Sequence, residues 1–74
     1  MEMNGMLWFD NDKKRTLSEK IRRAADYFNK KYGRVPNVCF VNKKVTEAVD
    51  LPGIKVRPTR SILPNHFLVG MEEA

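Results

Sequence analysis

The chain has 74 residues, 42% hydrophobic and 31% charged, with a net charge of +5 and a single cysteine. This length limits it to one domain, 1–74, whose folding buries only about 60% of the surface of the unfolded chain. A lone Cys39 excludes an intrachain disulfide, no His/Cys cluster with metal-ligand spacing is present, and no apolar run reaches the roughly 20 residues that cross a membrane.

In chain order, Met6-Leu7-Trp8-Phe9 is short, apolar and aromatic, and Asp-Asn-Asp follows it, the pattern of a first strand and a turn. The stretch from Met1 to Phe9 carries Glu2 and no cation, so it does not read as a signal peptide. Thr16-x-x-Glu19 is a capping box. Leu17, Ile21, Ala24 and Phe28 then recur at helical spacing. Gly33 stands where a left-handed residue ends a helix, and Pro36 lies beyond it. The spacing predicts a helix over 17–32.

Val38-Cys39-Phe40-Val41 is apolar throughout, which predicts a strand buried on both faces at the centre of its sheet. Asn42 is placed to cap a short second helix over Lys43 to Val49, with Val45, Ala48 and Val49 on one face. Leu51-Pro52-Gly53 is a turn. Ile54 and Val56 alternate with Lys55 and Arg57 in a third strand that Pro58 is expected to end. Thr59 to Asn65 reads as a loop, and His66 to Val69 as the last strand. Gly70 and a Met-Glu-Glu-Ala tail close the chain. The expected fold is α+β (α/β): one long capped helix on a small mixed sheet of about four strands, with the far face of the sheet left largely uncovered.

Three stretches, Trp-Phe-Asp-Asn-Asp (8–12), Lys-Tyr-Gly-x-x-Pro-x-x-Cys-Phe-Val-Asn (31–42) and Leu-Pro-Asn-His-Phe-Leu-Val-Gly (63–70), resemble a family of short, uncharacterised bacterial proteins. The resemblance runs over most of the chain and implies a prokaryotic source and a free-standing small protein. It brings no activity, cofactor or catalytic residue.

Charge is distributed unevenly. Residues 13–34 hold nine Lys/Arg against Glu19 and Asp26, while the rest of the chain holds five against seven acids. Such asymmetry bears on partners rather than on fold. Lys13, Lys14 and Arg15 precede the helix N-terminus, where the helix dipole gains nothing from cations. Lys20, Arg23, Tyr27, Lys31 and Arg34 fall on one helical stripe, a pattern of cations with an interleaved aromatic that suits a phosphate backbone. The plainer reading is a solvated helix face, with Glu19 four residues before Arg23 and Asp26 four before Lys30 as supporting pairs.

Other chemistries find little support. A calcium loop starting at Asp10 would place Lys14, Arg15 and Ile21 where ligands or glycine belong. Cys39 with His66 is the only nucleophile–base pair, and Cys39 sits in an apolar strand where cysteine acts as a small hydrophobe. Glu72 and Glu73 fall in a tail expected to be mobile. Strand alternation puts either Trp8 or Phe9 on the uncovered face. Trp8, with Arg57 and Arg60, is the candidate protein-contact surface, against the plainer readings of a core aromatic and a solvated loop.

The sequence therefore predicts a non-enzymatic, cytoplasmic binding or accessory module without cofactor or metal, whose segment 13–34 contacts nucleic acid or an acidic protein surface. The alternative is a structural or assembly subunit, a homo-oligomer that forms through the uncovered sheet face or an edge strand.

Overall fold

The computed structural model describes residues 4–49 and 51–72. The elements run β1 (Asn4–Phe9), α1 (Leu17–Tyr32), β2 (Val38–Asn42), β3 (Lys55–Thr59) and β4 (His66–Met71). The four strands form one mixed sheet in the order β1-β4-β2-β3. β1 and β2 both run antiparallel to β4, and β3 runs parallel to β2. β2 is central, as its continuous apolar run predicts, and β1 and β3 are the edges.

Helix α1 covers the predicted residues 17–32. The Glu19 amide donates to Thr16 Oγ1 (3.2 Å) and the Thr16 amide donates to Glu19 Oε1 (3.2 Å), so the capping box closes in both directions. The bond from the Thr16 amide, reinforced by the Thr16 hydroxyl, holds the Glu19 carboxyl below its ordinary range. The cap is therefore complete above the usual carboxylate range and loosens as pH falls through the lowered value. At the other end Gly33 adopts φ 69°, and its amide donates to the Asn29 carbonyl. A side chain at that φ would be strained, so glycine fits the helix stop.

The helix buries Ile21, Ala24 and Phe28 against Met6, Cys39, Val41, Phe67 and Val69 of the sheet. These strand residues alternate along their strands, so all lie on the helix side. The β2–β3 connection packs Val45, Val49, Leu51 and Ile54 against the same cluster. It does so without the expected short helix over Lys43 to Val49: residues 43–44 form a turn and 45–49 are irregular. Asn42 Oδ1 accepts the Lys44 amide (3.1 Å), while its Nδ2 donates to the Ile62 carbonyl (2.8 Å). That local side-chain turn competes with helix formation, and the β-branched Val45, Thr46 and Val49 add little propensity against it.

Pro58 does not end β3 but lies within it, opposite Val41. β3 is an edge strand, where a proline's missing N–H can face solvent. β4 extends to Met71, and Glu72 is tied to Asn37: the Glu72 amide donates to Asn37 Oδ1 (2.7 Å) and Asn37 Nδ2 donates to the Glu72 carbonyl (2.9 Å). Glu72 is thus anchored rather than part of a loose tail; Glu73 and Ala74 lie outside the described residues.

Thr16 is the residue on which helix initiation turns. Thr16→Ala removes the cap acceptor and is expected to lower unfolding stability by about 1 kcal/mol, read as a lower urea midpoint at unchanged slope.

Candidate nucleic-acid interface

The opening loop is built by its own aspartates. The Asp12 amide donates to Asp10 Oδ1 (3.0 Å) and the Lys14 amide to Asp12 Oδ1 (2.8 Å), while the Asp10 amide donates to the Asn65 carbonyl (2.9 Å). Arg15 Nη1 bridges both carboxylates, at 3.3 Å from Asp10 and 3.2 Å from Asp12. Asp10 is buried, so its charge needs this partner and these amides. Arg15, grouped with its neighbours as a partner-binding cation by sequence, is therefore engaged inside the loop. Lys13 and Lys14, between Asp12 and Arg15 in the chain, are exposed.

Among the described residues the ion pairs are those of Arg15 and that of Arg57 Nη2 with Glu72 Oε1 (2.8 Å). The supporting helix pairs Glu19–Arg23 and Asp26–Lys30 are not closed within 4.0 Å. Lys13, Lys14, Lys20, Arg22, Arg23, Lys30, Lys31 and Arg34 thus stand without a carboxylate partner among the described residues. Lys31 Nζ lies 5.4 Å from the centroid of the Tyr32 ring.

Trp8 takes the helix side of β1. Its ring meets Tyr27 at a centroid distance of 5.2 Å and a tilt of 43°. Trp8, Arg23, Asp26, Tyr27 and Lys30 line a shallow hollow, with Tyr27 half exposed. The contact surface assigned to Trp8 by sequence is therefore not on the open sheet face: Trp8 belongs to the helix stripe, and Phe9 takes the far side.

The topology adds cations that sequence spacing cannot group. β1, β2 and β3 all end, and β4 begins, at the end of the sheet where α1 starts. Lys43 and Lys44 follow β2 and Arg60 follows β3, so these three join Lys13, Lys14 and Lys20 at one pole. At this pole is a cleft of about 440 Å³, lined by residues that include Lys13, Lys14, Lys20, Leu17, Val45 and Phe67, and also by Asn42, Asn65, His66 and Glu47; Lys43, Lys44 and Arg60 do not line it. Asn65 sits at φ 64°; the Pro64-Asn65 dipeptide was the local signal for that left-handed turn.

The open sheet face carries a row Leu7–Leu68–Phe40–Arg57 set by the strand register. Leu7 and Phe9 are 59% and 56% exposed. Arg57, expected as a contact residue there, is held by Glu72. Arg60 is exposed in the turn that follows β3.

Cys39 and His66 lie on opposite faces. Cys39 is fully buried in the helix-side cluster, whereas the His66 ring stacks on Phe9 at 5.0 Å and shares its Nδ1 with the Pro64 carbonyl (2.9 Å). Desolvation pushes the Cys39 thiol up to about 12. No metal-binding group of three or more His, Cys, Asp or Glu occurs among the described residues, and no helix there is long and apolar enough to cross a membrane.

No protein-family model matches this chain, and none of the curated proteins and none of the solved structures does.

Because the thiolate is the reactive form and Cys39 is both buried and shifted upward, alkylation of the native protein at pH 8 is expected to be slow. It should accelerate to the rate of a free thiol in denaturant. Rapid labelling of the folded protein would show that the Cys39 environment described here is wrong.

Proposed function

We propose that this chain is a small, non-enzymatic, cytoplasmic bacterial module that binds single-stranded nucleic acid along the basic segment 13–34. The observation that carries this reading is the set of unpaired cations. Of nine Lys/Arg in the segment, only Arg15 has a carboxylate partner among the described residues. Cations that stabilised the fold through local pairs would sit within reach of Glu19 and Asp26. Lys20, Arg23, Lys30 and Lys31 instead project from α1 around Tyr27, and Lys13 and Lys14 precede the helix; Arg22 is on another side of α1, and Arg34, grouped with the stripe by sequence, lies beyond the Gly33 cap and off the helix.

The aromatic pair favours a nucleic acid over an acidic protein surface. Tyr27, in contact with Trp8 of β1, shares a hollow with Arg23, Lys30 and Asp26, where a base can stack while the two cations meet phosphates.

A second reading is assembly through β1. This edge strand carries no charge and exposes Leu7 and Phe9, whereas the opposite edge β3 is guarded by Lys55, Arg57 and Pro58. Self-association of this kind predicts a salt-tolerant dimer in sedimentation that Phe9→Lys disperses, and a monomer at high concentration would dismiss it.

The nucleic-acid reading is tested by titrating Trp8 fluorescence with mixed-sequence single-stranded DNA and RNA. Binding is expected to weaken with salt at a slope of about −0.7 per phosphate neutralised. The triple change Lys20→Glu, Arg23→Glu, Lys31→Glu should abolish it. Absence of binding at low salt refutes the reading, and equal binding of polyglutamate reassigns the face to acidic proteins.

A further inference from the structure

The cleft at the start of α1 differs from the stripe in shape and in chemistry. The stripe is a helix face with only a shallow hollow beside Tyr27. The cleft is a concavity of about 440 Å³, within the size range of small-ligand sites. Leu17, Val45 and Phe67 contribute apolar lining, and Lys13, Lys14 and Lys20 contribute cations. We propose that this cleft seats a terminal phosphate: a phosphomonoester borne by a flat or apolar body, at the end of a nucleic-acid strand or on a free nucleotide. The inference rests on the nucleic-acid reading and names what one part of that face recognises.

Three features support a monoester in this cleft. First, the loop that presents Lys13 and Lys14 is fixed in advance. Its turn is closed by the Asp10 and Asp12 side chains, and Arg15 bridges both carboxylates, so neither acid is ion-paired to the lysines. Binding then costs little loop ordering. Second, none of the three lysines has a carboxylate within 4.0 Å among the described residues. The capping box occupies the amides of Thr16 and Glu19. The positive end of the helix adds to the field of the lysines. Third, the charge count suits a dianion. A phosphomonoester carries about −1.5 to −2 at neutral pH, whereas an internal diester carries one charge and has chain leaving on both sides, which suits an open track rather than a cleft.

Lys20 belongs both to the cleft and to the stripe, so a strand whose end is seated at Lys13 and Lys14 continues over Lys20 toward Arg23 and Tyr27. Glu47 also lines the cleft, where its carboxylate disfavours additional phosphate charge and can accept a hydrogen bond from a hydroxyl or an exocyclic amine. A terminal monophosphate therefore fits better than a triphosphate.

The test uses the whole chain and one short single-stranded oligonucleotide in three forms: 5′-phosphorylated, 3′-phosphorylated and without terminal phosphate. One phosphorylated form is expected to bind about tenfold more tightly than the unphosphorylated strand, the scale of a few charge-assisted contacts. Lys13→Ala with Lys14→Ala should reduce that advantage to within about twofold, while Arg23→Ala with Lys31→Ala weakens all three strands and preserves the ratio. Circular dichroism of each variant confirms the fold. Competition by a nucleoside monophosphate as strong as that of the phosphorylated strand assigns the seat to free nucleotides, and weaker competition assigns it to strand ends. Equal affinity for all three strands overturns the inference and leaves the nucleic-acid reading standing. Failure of every strand to bind removes both.

Discussion

Burial of Ile21, Ala24 and Phe28 against Cys39, Val41, Phe67 and Val69 is the contact on which the remaining architecture depends. A chain of 74 residues has apolar surface for one such interface. A single helix therefore covers a single sheet face, and the connection between β2 and β3 adds Val45, Val49, Leu51 and Ile54 to the same side. Both consequences that bear on function descend from this arrangement. The helix has one buried stripe and presents the rest of its circumference to solvent. Among the described residues the other sheet face is exposed at the uncharged edge strand β1, at Leu7 and Phe9, while Val38 on the same face is buried.

The helix side is where the charge collects. Because α1 begins where β1, β2 and β3 end, its positive pole coincides with the loops bearing Lys13, Lys14, Lys43, Lys44 and Arg60. Mutual repulsion of these cations opposes folding, and local carboxylates could have relieved it. Asp10 and Asp12 are instead turned onto Arg15 and backbone amides, and Glu19 onto the cap. Three of the acids at the pole are used to build its loop and cap, and Glu47 lines the cleft without pairing to a lysine among the described residues. A surface arranged in this way keeps a strong field for an outside anion.

The far face obeys a different logic. β3 is protected by Lys55, Arg57 and Pro58, and Arg57 is further fixed by Glu72. β1 has none of these guards, and its cross-strand neighbours on the open face are Leu68, His66 and Gly70. Cys39, one residue from the exposed side of β2, is turned inward and kept protonated by desolvation. The alternation of strand side chains that hides the thiol also separates it from His66, so their chemistry cannot combine across the sheet.

The sequence by itself determined the helix and its ends, the central place of β2 and the α+β class, because capping boxes, terminal glycines and apolar periodicity are local codes that operate over a few residues. It misplaced the Asn42 turn as a helix, because a side-chain cap looks the same whether the chain continues into a helix or closes one turn. It ended β3 at Pro58, because the tolerance of proline depends on whether the strand is an edge, and strand order is not written locally. Alternation left open whether Trp8 or Phe9 faced the helix; only packing against Tyr27 decided it. The cleft was invisible for the same reason. Lys13, Lys14 and Lys20 are near in sequence, but Val45, Asn65 and Phe67 join them only when antiparallel and parallel pairing bring three loops to one end of the sheet, and long-range register is a property of the folded chain as a whole.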